Sequence, residues 1–193
     1  MVASGRNSFI MPRSNRQSHQ PTKGSLVHQQ TITRVTLLLL CALATNVRAD
    51  FNDGVAAMVA GDFEKALQTF VPLAETSDHA YAQYFLARMY ADGRGLEKNP
   101  AEAAKWFRKA AEKGVPEAQF RLGKLYEHGV GVPQDMEYAY GWYGVSAHLG
   151  NAKATAALKA AKDNLAPAEL QKADALSQDL IAKFGKAASA PQQ

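Results

Sequence analysis

The feature that most constrains the fold is a unit of sequence that occurs twice, 36 residues apart. One fixed offset, without a gap, aligns small, apolar, aromatic and glycine positions of the two copies: Ala82 with Ala118, Gln83 with Gln119, Leu86 with Leu122, Tyr90 with Tyr126, Gly93 with Gly129, Gly95 with Gly131, Ala103 with Ala139, Trp106 with Trp142, Ala111 with Ala147 and Gly114 with Gly150. A period of roughly 20–50 residues is typical of stacked repeats. The sequence therefore predicts full repeats at about 80–114 and 116–150.

Each copy has the pattern of two helices joined by a glycine-containing turn. In the first half, apolar residues recur every four positions, which places them on one face of a helix. Gly93-x-Gly95 then permits positive φ angles in a tight turn, and Asn99 can cap the second helix. In that helix Ala103 and Trp106 belong to an apolar stripe. A single pair cannot bury its apolar face, so stacking must supply the core.

Partial repeats flank the two full copies. Residues 50–75 predict two helices, with Val55, Met58 and Val59 forming an apolar face of the first. In the second we expect Asp62 to cap the start and Pro72 to end or kink the helix.

Beyond Gly150 the chain starts a third repeat that is not completed. Pro167 then begins an amphipathic helix that we expect to cap the array. The prediction is an all-α fold over residues 50–184, an α/α superhelical solenoid of helix pairs with a C-terminal capping helix, followed by a disordered tail at 185–193.

Residues 1–49 have the layout of a leader with a secretory signal peptide. An apolar core at 35–45 follows Arg34, and the small residues Val47 and Ala49 precede a cleavage site after Ala49. The core is too short to cross a bilayer, so we expect no membrane span in the mature chain, and we predict an exported, periplasmic protein. Two alternatives are an organelle transit peptide and lipidation of Cys41.

The composition after residue 49 argues against several classes of function. The leader holds six of the 22 basic residues and no acidic one, which leaves 16 basic against 18 acidic residues. A nucleic-acid partner is therefore not expected. Because Cys41 is the only cysteine, disulfides, thiolate zinc sites and cysteine nucleophiles are excluded from the body of the protein.

Motifs for catalysis are not found in the sequence. It contains no S-x-x-K and no G-x-S-x-G, and the G-x-G pairs follow predicted helices and lack the lysine of a phosphate loop. His79, His128 and His148 do not have metal-ligand spacing. We therefore predict a protein that is not an enzyme, with no catalytic residue, no metal and no cofactor.

The pattern A-x-x-x-L-[GA]-x-x-Y-x-x-G-x-G-[VL], followed by a cap residue, A-x-x-W-[FY] and A-x-x-G, resembles the Sel1-like repeat family. Its members consist of helix-turn-helix units related to tetratricopeptide repeats. The resemblance implies an interaction scaffold that binds a protein or peptide. Some bacterial relatives with a disulfide in each repeat are linked to β-lactam binding, but this sequence lacks those cysteines.

By resemblance to tetratricopeptide units, the first helix of each repeat lines a concave groove. The outward positions are then Tyr84 and Arg88 in one copy, and Phe120 and Lys124 in the next. Aromatic and basic side chains in such pairs suit an extended peptide that carries carboxylates. The alternative is that Tyr84 and Phe120 pack between repeats while Arg88 and Lys124 are solvated.

The function that these features favour is a non-catalytic scaffold in the cell envelope. Two alternatives remain open, a small hydrolase of cell-wall or β-lactam substrates and a periplasmic regulator that inhibits a sensor protein. The oligomeric state is also left open.

Overall fold

The computed structural model describes residues 50–188. The predictions for the leader, including the signal peptide, cleavage after Ala49 and the state of Cys41, lie outside the described residues. Within residues 50–188 there are eight helices and no strand: α1 Phe51–Ala60, α2 Phe63–Glu75, α3 Ala80–Asp92, α4 Pro100–Glu112, α5 Pro116–His128, α6 Met136–His148, α7 Ala152–Asn164 and α8 Pro167–Phe184. From α1 to α7 each helix packs against the next one along the chain. The predicted all-α solenoid is confirmed.

The predicted helix boundaries follow from caps that act locally. Asp62 accepts a hydrogen bond from Lys65 N, Asn99 from Ala101 N and Glu102 N, and Asp135 from Tyr138 N. The first helix of each full repeat ends at a glycine in the left-handed conformation, with φ of 70° at Gly93 and 64° at Gly129. Only glycine adopts this conformation without strain, so these two residues stop their helices.

The second glycine of each turn marks the contact between successive repeats. A Cβ atom at Gly131 would lie 2.1 Å from the carbonyl oxygen of Pro100, the first residue of α4. A Cβ atom at Gly95 would likewise lie 3.1 Å from the carbonyl oxygen of Phe63, the first residue of α2. Each turn therefore rests on the start of the second helix of the preceding unit, and α1 with α2 forms such a unit.

Two buried glutamines also connect neighbouring repeats. The Gln83 side-chain amide donates to the Ala74 carbonyl oxygen at 3.2 Å, and Gln119 donates to that of Ala111 at 3.0 Å. Both side chains are fully buried. Because a carbonyl at the end of a helix lacks an intrahelical partner, each glutamine satisfies the preceding helix while anchoring its own.

Two details of the first helices differ from what the sequence indicates. Val59 is 85% exposed, because within residues 50–188 α1 is the first helix and packs mainly against α2. The second helix does not end at Pro72 but continues to Glu75. A proline removes one donor from the helix, yet its own carbonyl still accepts from Thr76 N at 2.9 Å.

The last helix packs on α6 rather than completing a third pair with α7. Tyr140 donates to Asp174 Oδ1 at 2.6 Å, and the Trp142 ring stacks on that of Phe184. Residue numbers increase together in these contacts, so α6 and α8 run in the same direction.

Glycines of α6 permit this close approach. A Cβ atom at Gly141 would lie 2.9 Å from Leu180 Cδ1, and one at Gly144 would lie 2.0 Å from Ser177 Oγ. Lys105 and Arg108 occupy the equivalent positions of α4. At these positions the long side chains of α4 are replaced by glycine in α6, which leaves room for α8 to pack there.

The end of α8 is held by the second repeat. Gln119 donates a further hydrogen bond to the Phe184 carbonyl oxygen at 3.2 Å. Of the predicted tail, residues up to Ala188 are described, and the Ala188 amide donates to the Gly114 carbonyl oxygen at 2.9 Å. The remaining tail residues lie outside the described part of the chain.

Candidate interaction surface

The four residues singled out in the sequence lie on two helices that occupy equivalent places in the repeats. Tyr84 and Arg88 are on α3, and Phe120 and Lys124 are on α5. We call the surface formed by α3 and α5 around these residues the α3–α5 face. On this face Tyr84 is buried, while Arg88, Phe120 and Lys124 are half-buried.

Tyr84 is only 9% exposed, and its ring packs against those of Phe85 and Phe107, at centroid distances of 5.4 and 6.0 Å. Burial raises the pKa of its hydroxyl. Phe120 is half-buried and its ring centroid lies 5.9 Å from that of Tyr143. Both aromatic side chains therefore pack against the partner helix of their own repeat.

Arg88 is half-buried and is held by aromatic rings. Its guanidinium carbon lies 5.7 Å from the ring centroids of both Tyr84 and Phe85. Within residues 50–188 it forms no ion pair with a carboxylate. A guanidinium placed on aromatic faces can still donate hydrogen bonds to a planar anion.

Lys124, in contrast, is engaged within the protein. Its ammonium donates to Glu127 Oε2 at 2.7 Å, and the same oxygen accepts from the buried Tyr143 hydroxyl at 2.8 Å. Burial raises the pKa of Glu127, but the hydrogen bonds from Lys124 and Tyr143 outweigh burial and leave that pKa below its usual value. The charge of Lys124 is therefore partly neutralised before any partner arrives.

Two further residues of the α3–α5 face were not identified from the sequence. Phe85 supports Arg88, and the exposed Arg121 of α5 lies close enough to Tyr84 to influence the pKa of its hydroxyl. Positions 85 and 121 are equivalent in the two repeats but hold different residues. Comparison of the two copies therefore does not identify either position as part of a site. Arg121 lies one helical turn after Glu117, on the same side of α5. This spacing is the only feature of the sequence that indicates which side of the helix Arg121 occupies.

A shallow cleft of about 430 Å³ lies beside this face, at the starts of α5 and α7. Its polar groups bind each other: Asn151 donates to Glu117 Oε2 at 2.9 Å, and Lys153 pairs with Glu117 at 3.4 Å. Tyr81 and Val115 supply apolar lining. The cleft is therefore concave, but these polar groups are already hydrogen-bonded or ion-paired within the protein.

Residues 50–188 contain no cluster of three or more potential metal ligands. Ser146 is buried and donates its hydroxyl to the Pro116 carbonyl oxygen at 2.7 Å, and Ser177 packs against Gly144.

None of the helices α1–α8 has the length and hydropathy that crossing a membrane requires.

Repeated helix pairs with glycine turns and a shared core define a helical repeat protein. The family model of the Sel1 repeat matches residues 80–115 and 116–151, which correspond to the two units visible in the sequence. The chain therefore contains two Sel1 repeats. Proteins built from such repeats are scaffolds for protein–protein interaction.

Solved structures agree with this assignment. The crystal structure of c5321, a protective antigen present in uropathogenic Escherichia coli strains that displays an SLR fold, is 30% identical, with a TM-score of 0.69. The match covers 79% of this chain and 35% of that one. A Sel1 repeat protein from Oxalobacter formigenes is 28% identical, with a TM-score of 0.53, over 66% of this chain and 54% of the other.

This chain spans about a third to a half of the length of those two relatives. No protein of curated function matches it.

Proposed function

We propose that this protein is a non-catalytic scaffold of the cell envelope that binds an extended, acidic segment of a partner protein along the α3–α5 face. The repeat family supports a role in protein–protein interaction. The leader, with its apolar core and small residues before Ala49, supports export to the periplasm.

The position of Arg88 is the observation on which the binding site rests. The guanidinium is fixed over two rings at 5.7 Å and has no carboxylate partner within the described residues. A cation that is already oriented loses little side-chain entropy when a partner binds, so its interaction contributes more to affinity.

Arg121 and Lys124 extend the positive charge along α5. Arg121 is exposed and unpaired within residues 50–188, whereas Lys124 is shared with Glu127. A carboxylate of the partner would therefore bind Arg88 and Arg121 first, and Lys124 would contribute through longer-range attraction. Tyr84 and Phe120 support the helices from beneath rather than contacting the partner.

Photo-crosslinking tests the site even while the partner is unidentified. A photoreactive phenylalanine analogue placed at Lys124 should yield a specific adduct in intact cells, while the same analogue at Gln178, exposed on α8, should not. The Arg88→Glu and Arg121→Glu double variant should lose the Lys124 adduct. An adduct that forms equally at Gln178, or that survives the double variant, would place the partner elsewhere.

Export has its own test. N-terminal sequencing of protein recovered from the periplasmic fraction should begin at Asp50. Recovery in the cytoplasm with Met1 retained would refute export, and it would leave the crosslinking result unaffected.

A further inference from the structure

Three side chains from three successive helices, none of them among the residues assigned to the α3–α5 face, meet at one surface. Arg108 of α4 donates from Nη2 to the Tyr126 hydroxyl of α5 at 2.7 Å, and its guanidinium carbon lies 6.0 Å from the Tyr126 ring centroid. The Tyr126 ring in turn packs on that of Tyr138 of α6, with centroids 5.2 Å apart and planes 30° apart. We call these residues the Arg–Tyr–Tyr cluster.

The repeat itself shows which members of the cluster the fold requires. Tyr126 recurs as Tyr90, 36 residues earlier. The position equivalent to Tyr138 is Glu102, and the position equivalent to Arg108, at the offset of 37 that relates α4 to α2, is Val71. The central tyrosine is therefore present in both full repeats, as Tyr90 and Tyr126. Arg108 and Tyr138 have no counterpart of the same type in the preceding unit.

The cluster is accessible and not neutralised by acids. Tyr138 is 42% exposed, which makes it one of three exposed large hydrophobic residues in the described part of the chain. Arg108 is exposed and forms no ion pair with a carboxylate of residues 50–188. On the same helix Lys105 is paired with Glu102, and the Lys109 ammonium lies 4.1 Å from the Trp106 ring centroid.

We propose that the Arg–Tyr–Tyr cluster is a second docking point, which binds a segment of a partner protein that carries a carboxylate beside an apolar side chain. The hydrogen bond to Tyr126 orients the guanidinium of Arg108 and leaves its remaining N–H groups for the carboxylate. The exposed ring of Tyr138 receives the apolar side chain. Tyrosine and arginine are enriched among residues that dominate binding energy at protein interfaces.

The repeat supplies substitutions that the fold already accommodates. Arg108→Val and Tyr138→Glu each introduce the residue found at the equivalent position of the preceding unit. Arg108→Lys keeps the charge but lacks the planar pair of donors, and it serves if Arg108→Val reduces the helix content measured by circular dichroism. Arg88→Glu alters only the α3–α5 face.

The probe is a random peptide library displayed on phage and selected on the purified protein from Asp50 to Gln193. We expect enriched peptides that contain Asp or Glu next to an aromatic or aliphatic residue. Their affinity, measured by fluorescence anisotropy, should fall at least about tenfold with Arg108→Val, Arg108→Lys or Tyr138→Glu. Their affinity should be unchanged by Arg88→Glu.

Three results would overturn the docking point: no peptide above background, enriched peptides without acidic residues, or affinities that Arg108→Val leaves intact. Peptides that lose binding only with Arg88→Glu would support the α3–α5 face and reject this second surface. The two proposals are thus tested separately by one selection.

Discussion

The indole ring of Trp142 stacks on the ring of Phe184, with centroids 5.6 Å apart and planes 21° apart. Trp142 lies in α6, and Phe184 is the last residue of α8. At the equivalent position of the first full repeat, Trp106 carries the Lys109 ammonium over its ring instead. Both tryptophans are buried in the same core, and Trp142 stacks on the last residue of the C-terminal helix.

Phe184→Ala should detach the end of α8 from this core. In a Trp106→Phe background, where Trp142 is the only indole, we expect a red shift of the emission because water reaches the ring. We also expect a loss of about 1–3 kcal/mol in the free energy of unfolding, less than for a fully buried phenylalanine. Urea titration followed by fluorescence gives both values. Phe184→Leu should retain most of the stability, and unchanged emission in Phe184→Ala would contradict the contact.

Making α6 resemble α4 should displace α8. The change Gly141→Lys with Gly144→Arg introduces the residues of the equivalent positions 105 and 108, and the space beneath α8 cannot hold them. We expect faster proteolytic cleavage near Ala166, between α7 and α8, while helix content over α1–α7 is retained. Ala160→Arg, on the exposed side of α7, is the control for added charge and should not change the cleavage rate.

Substitutions at Gly131 and Gly150 distinguish the cost of backbone strain from the cost of losing the contact between repeats. Both have positive φ, 71° and 85°, but a Cβ atom at Gly150 would meet nothing within 4 Å. Gly150→Ala should therefore cost only the strain of the left-handed conformation, about 1–2 kcal/mol. Gly131→Ala adds a collision with the Pro100 backbone, and we expect it to cost at least about 2 kcal/mol more. Equal urea midpoints for the two variants would show that the turn moves freely away from α4.

His79 should make the first repeat sensitive to acid. Its Nδ1 accepts from Ala82 N at 3.1 Å and so caps α3, while its ring stacks on Phe51 at 4.8 Å. Burial lowers the pKa of His79 below its ordinary value of 6.5. The stability it contributes is therefore fully present above pH 6.5 and is lost as the pH falls through the lower, folded-state pKa.

His79→Asn keeps a capping oxygen that does not titrate in this range. We expect the wild type to lose more Tm than this variant between pH 7.5 and pH 5. Parallel Tm curves for the two proteins would mean that His79 is not the group responsible.

Some elements were predictable because their causes lie within a few residues. Asp62, Asn99 and Asp135 bind backbone amides two or three positions ahead, and Gly93 and Gly129 stop helices through their own φ angles. The buried role of Gln83 and Gln119 was not predicted, although their recurrence marked them. A repeated polar residue on an apolar helix indicates a shared structural partner, but which carbonyl it binds depends on the preceding helix.

The face on which a side chain lies was harder to predict. Val59 has helical spacing with Val55 and Met58 and is nevertheless exposed, because burial requires a neighbour and α1 is the first helix within residues 50–188. Tyr84 and Phe120 occupy the predicted helices, but each packs its ring against the partner helix of its own repeat. Arg121 was missed because its equivalent position holds Phe85.

By itself, the sequence determined the period, the helix pairs and the places where they turn, because caps and glycines act locally and recur at a fixed offset. The tertiary structure decided where α8 lies and which of the cations remain free. Those outcomes depend on contacts between residues far apart in the chain: Gly144 meets Ser177, Trp142 meets Phe184, and Lys124 but not Arg88 finds a carboxylate. Such contacts arise only when the stacked helices bring their surfaces together.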